Sequence, residues 1–206
     1  MRTAPTCPRC RGPLVPPSAW SSAWTCAAHG EVIPLQPPRR PSPEGLRAVR
    51  ARARVPIWVP WPLPTGWLVT GFADAGDDRS GALAVAVALS GPAPLGGPAD
   101  LVLVAEEPGV GLGSCFAGQP GPDPGAAFGV SAPDAKVDID GHPVSMWAVS
   151  TESAAAFAGE ALAKWLWAVL WPSSAGILLI EELNLRDLRE DDLDLPYGAF
   201  CPRLEA

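Results

Sequence analysis

The chain has 206 residues, enough for a small module followed by one globular domain of about 150 residues. A hydrophobic fraction of 48% excludes a wholly disordered chain, while 18% charged residues and 26 prolines assign long stretches to turns, extended segments or linker. Charge is split: residues 1–54 carry nine arginines against Glu31 and Glu44, net +7, and residues 55–206 are net −14, which together make the −7 of the chain. A basic half can meet a polyanion or dock on the chain's own acidic half. No aromatic-basic recognition pattern accompanies these arginines, so self-docking or a protein partner is favoured over nucleic acid.

In chain order, the first feature is a set of four metal-ligand side chains in two tight pairs: Cys7 and Cys10 in CPRC, then Cys26 and His29 in CAAH. A C-x2-C knuckle brings two sulfurs to one ion, and a second pair after an intervening hairpin of fifteen residues completes a tetrahedron. Four protein ligands leave no position for water, so the expected cofactor is structural zinc rather than catalytic zinc. Gly12 and Gly30 follow the pairs and allow the backbone to wrap amide donors around the sulfurs. A zinc-ribbon-like module over residues 1–33 buries too little surface to fold unaided, and metal binding supplies on the order of 10 kcal/mol to such units.

Residues 34–54 read as a Pro/Arg-rich linker and short helix. Prolines from Pro34 to Pro43 fix the backbone and make an extended, semi-rigid spacer. Ser42 suits an N-cap and Pro43 a first turn, which predicts a helix over Glu44–Arg52 with Arg47 and Arg50 facing out.

Residues 55–206 read as an α+β domain. The proline-rich segment 55–67 suits a sheet edge leading into a strand over Trp67–Ala73, and the apolar runs Ala82–Ser90 and Asp100–Ala105 suit buried strands. Residues 136–149 predict a hairpin turning at Asp140-Gly141. Thr151–Trp171 predicts one long helix, with Thr151 as N-cap, Glu152 at the positive end of the dipole and Pro172 as the stop. With a strand over Ile177–Glu181, this makes a mostly antiparallel sheet packed by one long helix, including a β-α-β crossover. On that helix Glu160, Lys164, Trp167 and Trp171 form one stripe, so the two indoles require cover from the chain itself or from a partner protein.

Other candidates for chemistry are sparse. Gly109–Cys115 follows a strand but lacks the Gly-Lys-Ser/Thr of a phosphate loop, and reads as a flexible loop or bulge. Cys115 is a candidate nucleophile with His142 as base and Asp138 or Asp140 as orienter, because His142 is the histidine outside the zinc set. Glu106-Glu107 and Glu181-Glu182 could pair as acid and base with Asp74, Asp77 or Asp78. The start MRTAPTCPRC lacks an apolar core, and the hydrophobic stretch Trp165–Trp171 is too short to span a bilayer, so no membrane segment and a cytoplasmic location are expected.

The motifs CPRC with CAAHG, VPWPLPTGW, AGDDRSG, SGPAPLGGP, LVAEEPGVGLG and FAGEALAKWLWAVLWP carry a resemblance over most of the length. By them the chain resembles an uncharacterised family of actinobacterial proteins. The resemblance implies kinship without an activity, and it implies that Asp77, Asp78, Arg79, Glu106 and Glu107 belong to one recurring loop set. The knuckles are similar to those of zinc ribbons, with a histidine in place of the usual last cysteine. The resulting expectation is a zinc-containing, non-enzymatic interaction or regulatory protein of open oligomeric state. The alternatives are a small acyl- or phosphoryl-transfer enzyme using Cys115 or the loop carboxylates, and nucleic-acid binding through Arg39, Arg40, Arg47, Arg50, Arg52 and Arg54.

Overall fold

Long apolar runs between residues 68 and 106 build the centre of the molecule, because each side chain finds a dry face whichever way it points. The computed structural model describes residues 4–126, 128–181 and 183–205. A small N-terminal sheet holds β1 (Leu14–Val15), β2 (Trp24–Cys26) and β3 (Gly30–Val32) in that order. A second, nine-stranded sheet has β4 (Trp58–Pro60), β5 (Leu68–Asp77), β6 (Gly81–Pro92), β7 (Pro98–Glu106), β8 (Ala135–Ile139), β9 (His142–Val149), β10 (Ala155–Ala161), β11 (Lys164–Trp171) and β12 (Leu183–Asp187). Its order is β4-β12-β8-β9-β10-β11-β7-β6-β5, antiparallel except where β12 runs parallel to β8. The sheet curls, so that β4 packs against β6 and β7.

The pleat sorts side chains between the two faces. Val85, Val87, Leu89, Leu101, Leu103, Leu166 and Leu170 point into the curl and form the main core with Ile57, Val59, Met146 and Leu185. Each such side chain contributes roughly 1.5–3 kcal/mol relative to exposure. Ala84, Ala86, Ala88, Val102, Val104 and Trp167 point outward, under Leu35, Val110, Leu112, Cys201 and Leu204. Alanines on this outer face let the covering segments lie close to the sheet.

Those covering segments also occupy the free edge of β5. The N–H groups of Gln36 and Arg39 donate to Asp74 and Phe72 carbonyls at 2.9 and 2.7 Å, and Gly198 and Cys201 donate to Val69 and Thr70, both at 2.9 Å. The proline-rich segment is therefore paired along the sheet rather than held away from it, and no open edge remains on that stretch. Helix α1 (Pro43–Arg50) follows, with the Ser42 hydroxyl accepting from Gly45 N–H at 3.0 Å and Leu46 and Val49 buried.

The expected α+β class is corrected by this architecture, which is mostly β and, among the described residues, has no long helix on the sheet. Residues 155–171 are the hairpin β10–β11 instead of a helix, paired from Ala155↔Leu170 to Ala161↔Lys164. Leu162 and Ala163 form its turn with φ of 54° and 58°, a left-handed conformation that carries none of the usual Asn or Gly signature. Alanine is the best helix former, and a strand buried on both faces loses its two-residue alternation, so propensity and period both pointed away from a strand. Thr151 Oγ1 accepts from Ala154 N–H at 3.3 Å, an N-cap-like bond that closes a turn and starts no helix. Likewise Ser173–Leu179 is a short 3-10 segment where a strand over Ile177–Glu181 was expected, and the parallel strand is Leu183–Asp187. Among the described residues no helix is long and apolar enough to cross a membrane.

Candidate metal centre

The CPRC segment closes on itself: Cys7 N–H donates to Gly12 O at 2.9 Å and Arg11 N–H to Cys7 O at 2.8 Å, with Arg11 left-handed at φ 59°. The second pair sits on the β2–β3 hairpin, where Cys26 ends one strand and His29 immediately precedes the other. The two pairs converge. The donor atoms of Cys7, Cys10, Cys26 and His29 all lie within 4.8 Å of one another. His29 Nδ1 is 3.6 Å from both Cys7 and Cys26 Sγ, and Cys10 Sγ is 3.8 Å from Cys26 Sγ.

These separations can be compared with an ion at the centre. Bonds of about 2.3 Å to sulfur and about 2.0–2.1 Å to nitrogen, at tetrahedral angles, separate two sulfurs by about 3.8 Å and a sulfur from a nitrogen by about 3.5 Å. Three of the six edges match these values and the others stay within 4.8 Å, so the four residues lie close enough to hold one metal ion. Cys7 and Cys26 are buried, whereas Cys10 is exposed. Burial pushes the Cys7 thiol up to about 11, while the backbone N–H of Ala28 foremost draws Cys26 down to about 6. Burial of Cys7 and the amide donor at Cys26 thus act in opposite directions on two of the three sulfurs, and binding an ion requires the protons to leave.

The knuckle faces the large sheet. Arg9, between two ligands, donates from Nε to Val110 O at 3.2 Å and from Nη2 to Gly109 O. Arg11 donates to Leu204 O at 3.1 Å and lays its guanidinium 4.6 Å from the centre of the Phe116 ring. Beside these contacts a cleft of about 650 Å³ separates the N-terminal sheet from the ends of β5, β6 and β7, lined by Trp24, Glu31, Asp77, Arg79 and Glu107 among others. Three of the five residues in the expected loop set therefore line one cleft.

The other two lie elsewhere. Asp78 is at the surface, paired with Arg52 at 3.1 Å. Glu106 is fully buried under the short helix α2 (Leu112–Phe116), accepting from Leu112 N–H at 2.6 Å and Gly113 N–H at 3.2 Å. Burial pushes its carboxyl up to about 7 against those two bonds, and the nearby Asp123 charge adds to the rise. The indole N–H of Trp167 pulls weakly the other way without completing a hydrogen bond. Sequence reasoning placed a loop after Val110, whereas a five-residue helix forms there, and its first amide donors are taken by Glu106 instead of an external anion.

Cys115 and His142 are not brought together. Cys115 is in α2, which packs on β7 and β11, while His142 is exposed at the start of β9, three strands from β7 in the sheet order. The intended orienters are engaged as well: Asp138 accepts from Gly141 N–H at 2.8 Å and Asp140 pairs with Arg186 at 2.7 Å. Glu181 is exposed, and Glu182 lies outside the described residues. Trp167 is fully buried against Gly113, so the chain itself covers that indole, whereas Trp171 is only partly covered, by Arg203 at 4.9 Å from its ring.

The basic half is largely spent within the chain. Arg39 and Arg52 reach the fully buried Asp74 carboxylate at 3.4 and 3.1 Å, Arg50 approaches Asp192 at 3.7 Å, and Arg47 pairs with Glu44 at 2.7 Å, while Arg40 and Arg54 are exposed. Sequence reasoning missed the reach of Arg9 and Arg11 and the exposed Trp20 between β1 and β2. The arginines flanking Cys10 were a usable signal, since a knuckle side chain points away from its ion.

A search of curated proteins and a search of solved structures each returned no match. Over residues 1–204 the chain matches the model of a family of unknown function (DUF6758), and to that family it belongs.

Proposed function

We propose that this chain is a zinc protein whose Cys7, Cys10, Cys26 and His29 hold the ion as a structural centre, folding a zinc-ribbon-like unit that serves interaction or regulation rather than catalysis. The observation that carries this reading is the donor geometry, whose 3.6 and 3.8 Å edges suit a tetrahedral ion with three thiolates and one imidazole. Three sulfurs select a thiophilic ion, and four protein donors leave no place for a reacting water. Among the described residues the buried cluster around the site is Cys7, Cys26 and Val32 with Leu14 packed on it, too little to hold these strands without the ion. The interaction reading draws support from the outer tip of the same unit, where Val15 is 66% and Trp20 97% exposed. The partner we expect there is a protein. The separation of Cys115 from His142 lends no support to the acyl-transfer alternative, and the pairing of Arg39, Arg50 and Arg52 within the chain reduces the charge that a nucleic acid could meet.

Elemental analysis of the full chain purified without added metal tests this. About one zinc per chain in the parent, lost in both Cys7→Ser and His29→Ala, is the expected result. A metal-free parent that stays folded, or zinc retained in both variants, would sink the reading.

A further inference from the structure

The metal centre and the outer face of the large sheet are joined by the side chains that flank Cys10. We infer that metal occupancy controls the order of the segment 107–119 and of the C-terminal residues 201–205, with Arg9 and Arg11 as the latch. The inference rests on the zinc reading above and adds a consequence to it.

Arg9 is held on both sides by a metal ligand, Cys7 two residues before it and Cys10 directly after it. From there it crosses to the loop that precedes α2, supplying donors to the carbonyls of Gly109 and Val110. The fit is close: a Cβ on Gly111 would lie 2.9 Å from Arg9 Cγ, and Gly111 itself has φ 87°. Arg11 reaches the next two pieces, the Phe116 ring and the Leu204 carbonyl. Its Nε and Nη2 are buried and find no acceptor among the described residues. A guanidinium gains by leaving such a place for water, so it stays only while its backbone is fixed. That backbone is the left-handed Arg11 of the knuckle, whose shape the ion sets.

Without the ion the N-terminal sheet has little core, and the knuckle is free to open. Arg9 then withdraws two donors from the loop, and Arg11 leaves Phe116 and Leu204. The segment retains its other ties, Glu106 to the Leu112 and Gly113 amides and Asp123 to Gly109 N–H at 2.8 Å, so it loosens locally while the sheet persists. Such a change is a shift in local opening, the part of stability that hydrogen exchange reads.

Hydrogen exchange by mass spectrometry on the full chain tests this with zinc-loaded protein, chelator-stripped protein and zinc-loaded Arg9→Ala. Stripping is expected to speed exchange in peptides covering 107–119 and 201–205 by about tenfold or more, while peptides within 84–89 and 101–105 stay slow. Arg9→Ala is expected to keep its zinc and to show the faster exchange in 107–119 alone. If zinc binds stoichiometrically and those peptides exchange equally in loaded and stripped protein, the latch is wrong although the zinc site stands. Unchanged exchange in zinc-loaded Arg9→Ala overturns the role of Arg9 in the same way. A parent that takes up no zinc overturns the zinc reading itself, and the latch with it.

Discussion

Glu106→Gln isolates the cost of a buried carboxylate. In the fold Glu106 is covered by α2 and faces two amide N–H groups, the Trp167 indole and, further off, Asp123. Its pKa rises from 4.5 to about 7, chiefly through burial. Because the folded value is the higher one, the folded chain binds the proton more tightly than the unfolded chain does. Stability from this group is therefore full below the unfolded value, declines as pH rises through the window from 4.5 to about 7, and is lost above it. At 1.36 kcal/mol for each pKa step the loss is about 3 kcal/mol. Glutamine resembles the protonated acid in shape and stays neutral, so it removes this dependence. Near pH 5 the variant should be less stable than the parent by about 1–3 kcal/mol, since its NH2 must face one of the two N–H groups from which the carboxyl oxygens accept. By pH 8 the difference between the two should have moved about 3 kcal/mol in favour of the variant, which at a urea slope of about 2 kcal/mol per molar shifts its midpoint by about 1.5 M relative to the parent. Urea unfolding at both values with saturating zinc reads the difference, and the shared metal site cancels between the two proteins. Parallel stability curves across this window would refute the reasoning.

Three further variants probe other parts of the structure. Gly113→Ala places a methyl group inside the Trp167 indole, which neither α2 nor β11 can vacate, so thermal unfolding should show a loss of about 2–3 kcal/mol; a neutral result would mean that α2 is not seated on that indole. Replacing Leu162-Ala163 by Asn-Gly suits the left-handed turn of β10–β11 and removes a leucine that is 68% exposed. It should raise stability by about 1 kcal/mol in the same assay, and a marked loss would mean that Leu162 and Ala163 are not free of other contacts in this turn. Trp20→Ser, at a side chain 97% exposed, should leave zinc content unchanged and stability within about 0.5 kcal/mol, so that any loss of partner binding reports the surface alone.

The sequence by itself determined what is decided within a few residues. The spacing of Cys7, Cys10, Cys26 and His29 was enough to anticipate a four-ligand cluster, because two short pairs need only one hairpin between them to meet. The Ser42-Pro43 start of α1 and the Asp140-Gly141 turn of β8–β9 were legible for the same local reason, as were the apolar runs of β6 and β7. Only the tertiary structure decided the rest. Residues 155–171 became a hairpin because Ala156, Ala158 and Trp167 are covered on the outer face while Leu166 and Leu170 fill the curl. Burial on both faces erases the alternation that marks a strand, and alanine's helix propensity is then overruled by packing. Glu106 and Glu107 are neighbours in sequence, yet Glu106 ends β7 under α2 while Glu107, just past the strand, lines the cleft. The pairing of residues 34–39 with β5, and the reach of Arg9 and Arg11 to residues 109–116 and 204, join parts of the chain some 30 to 190 residues apart. No local pattern encodes such contacts, because they depend on where the whole sheet places its edges.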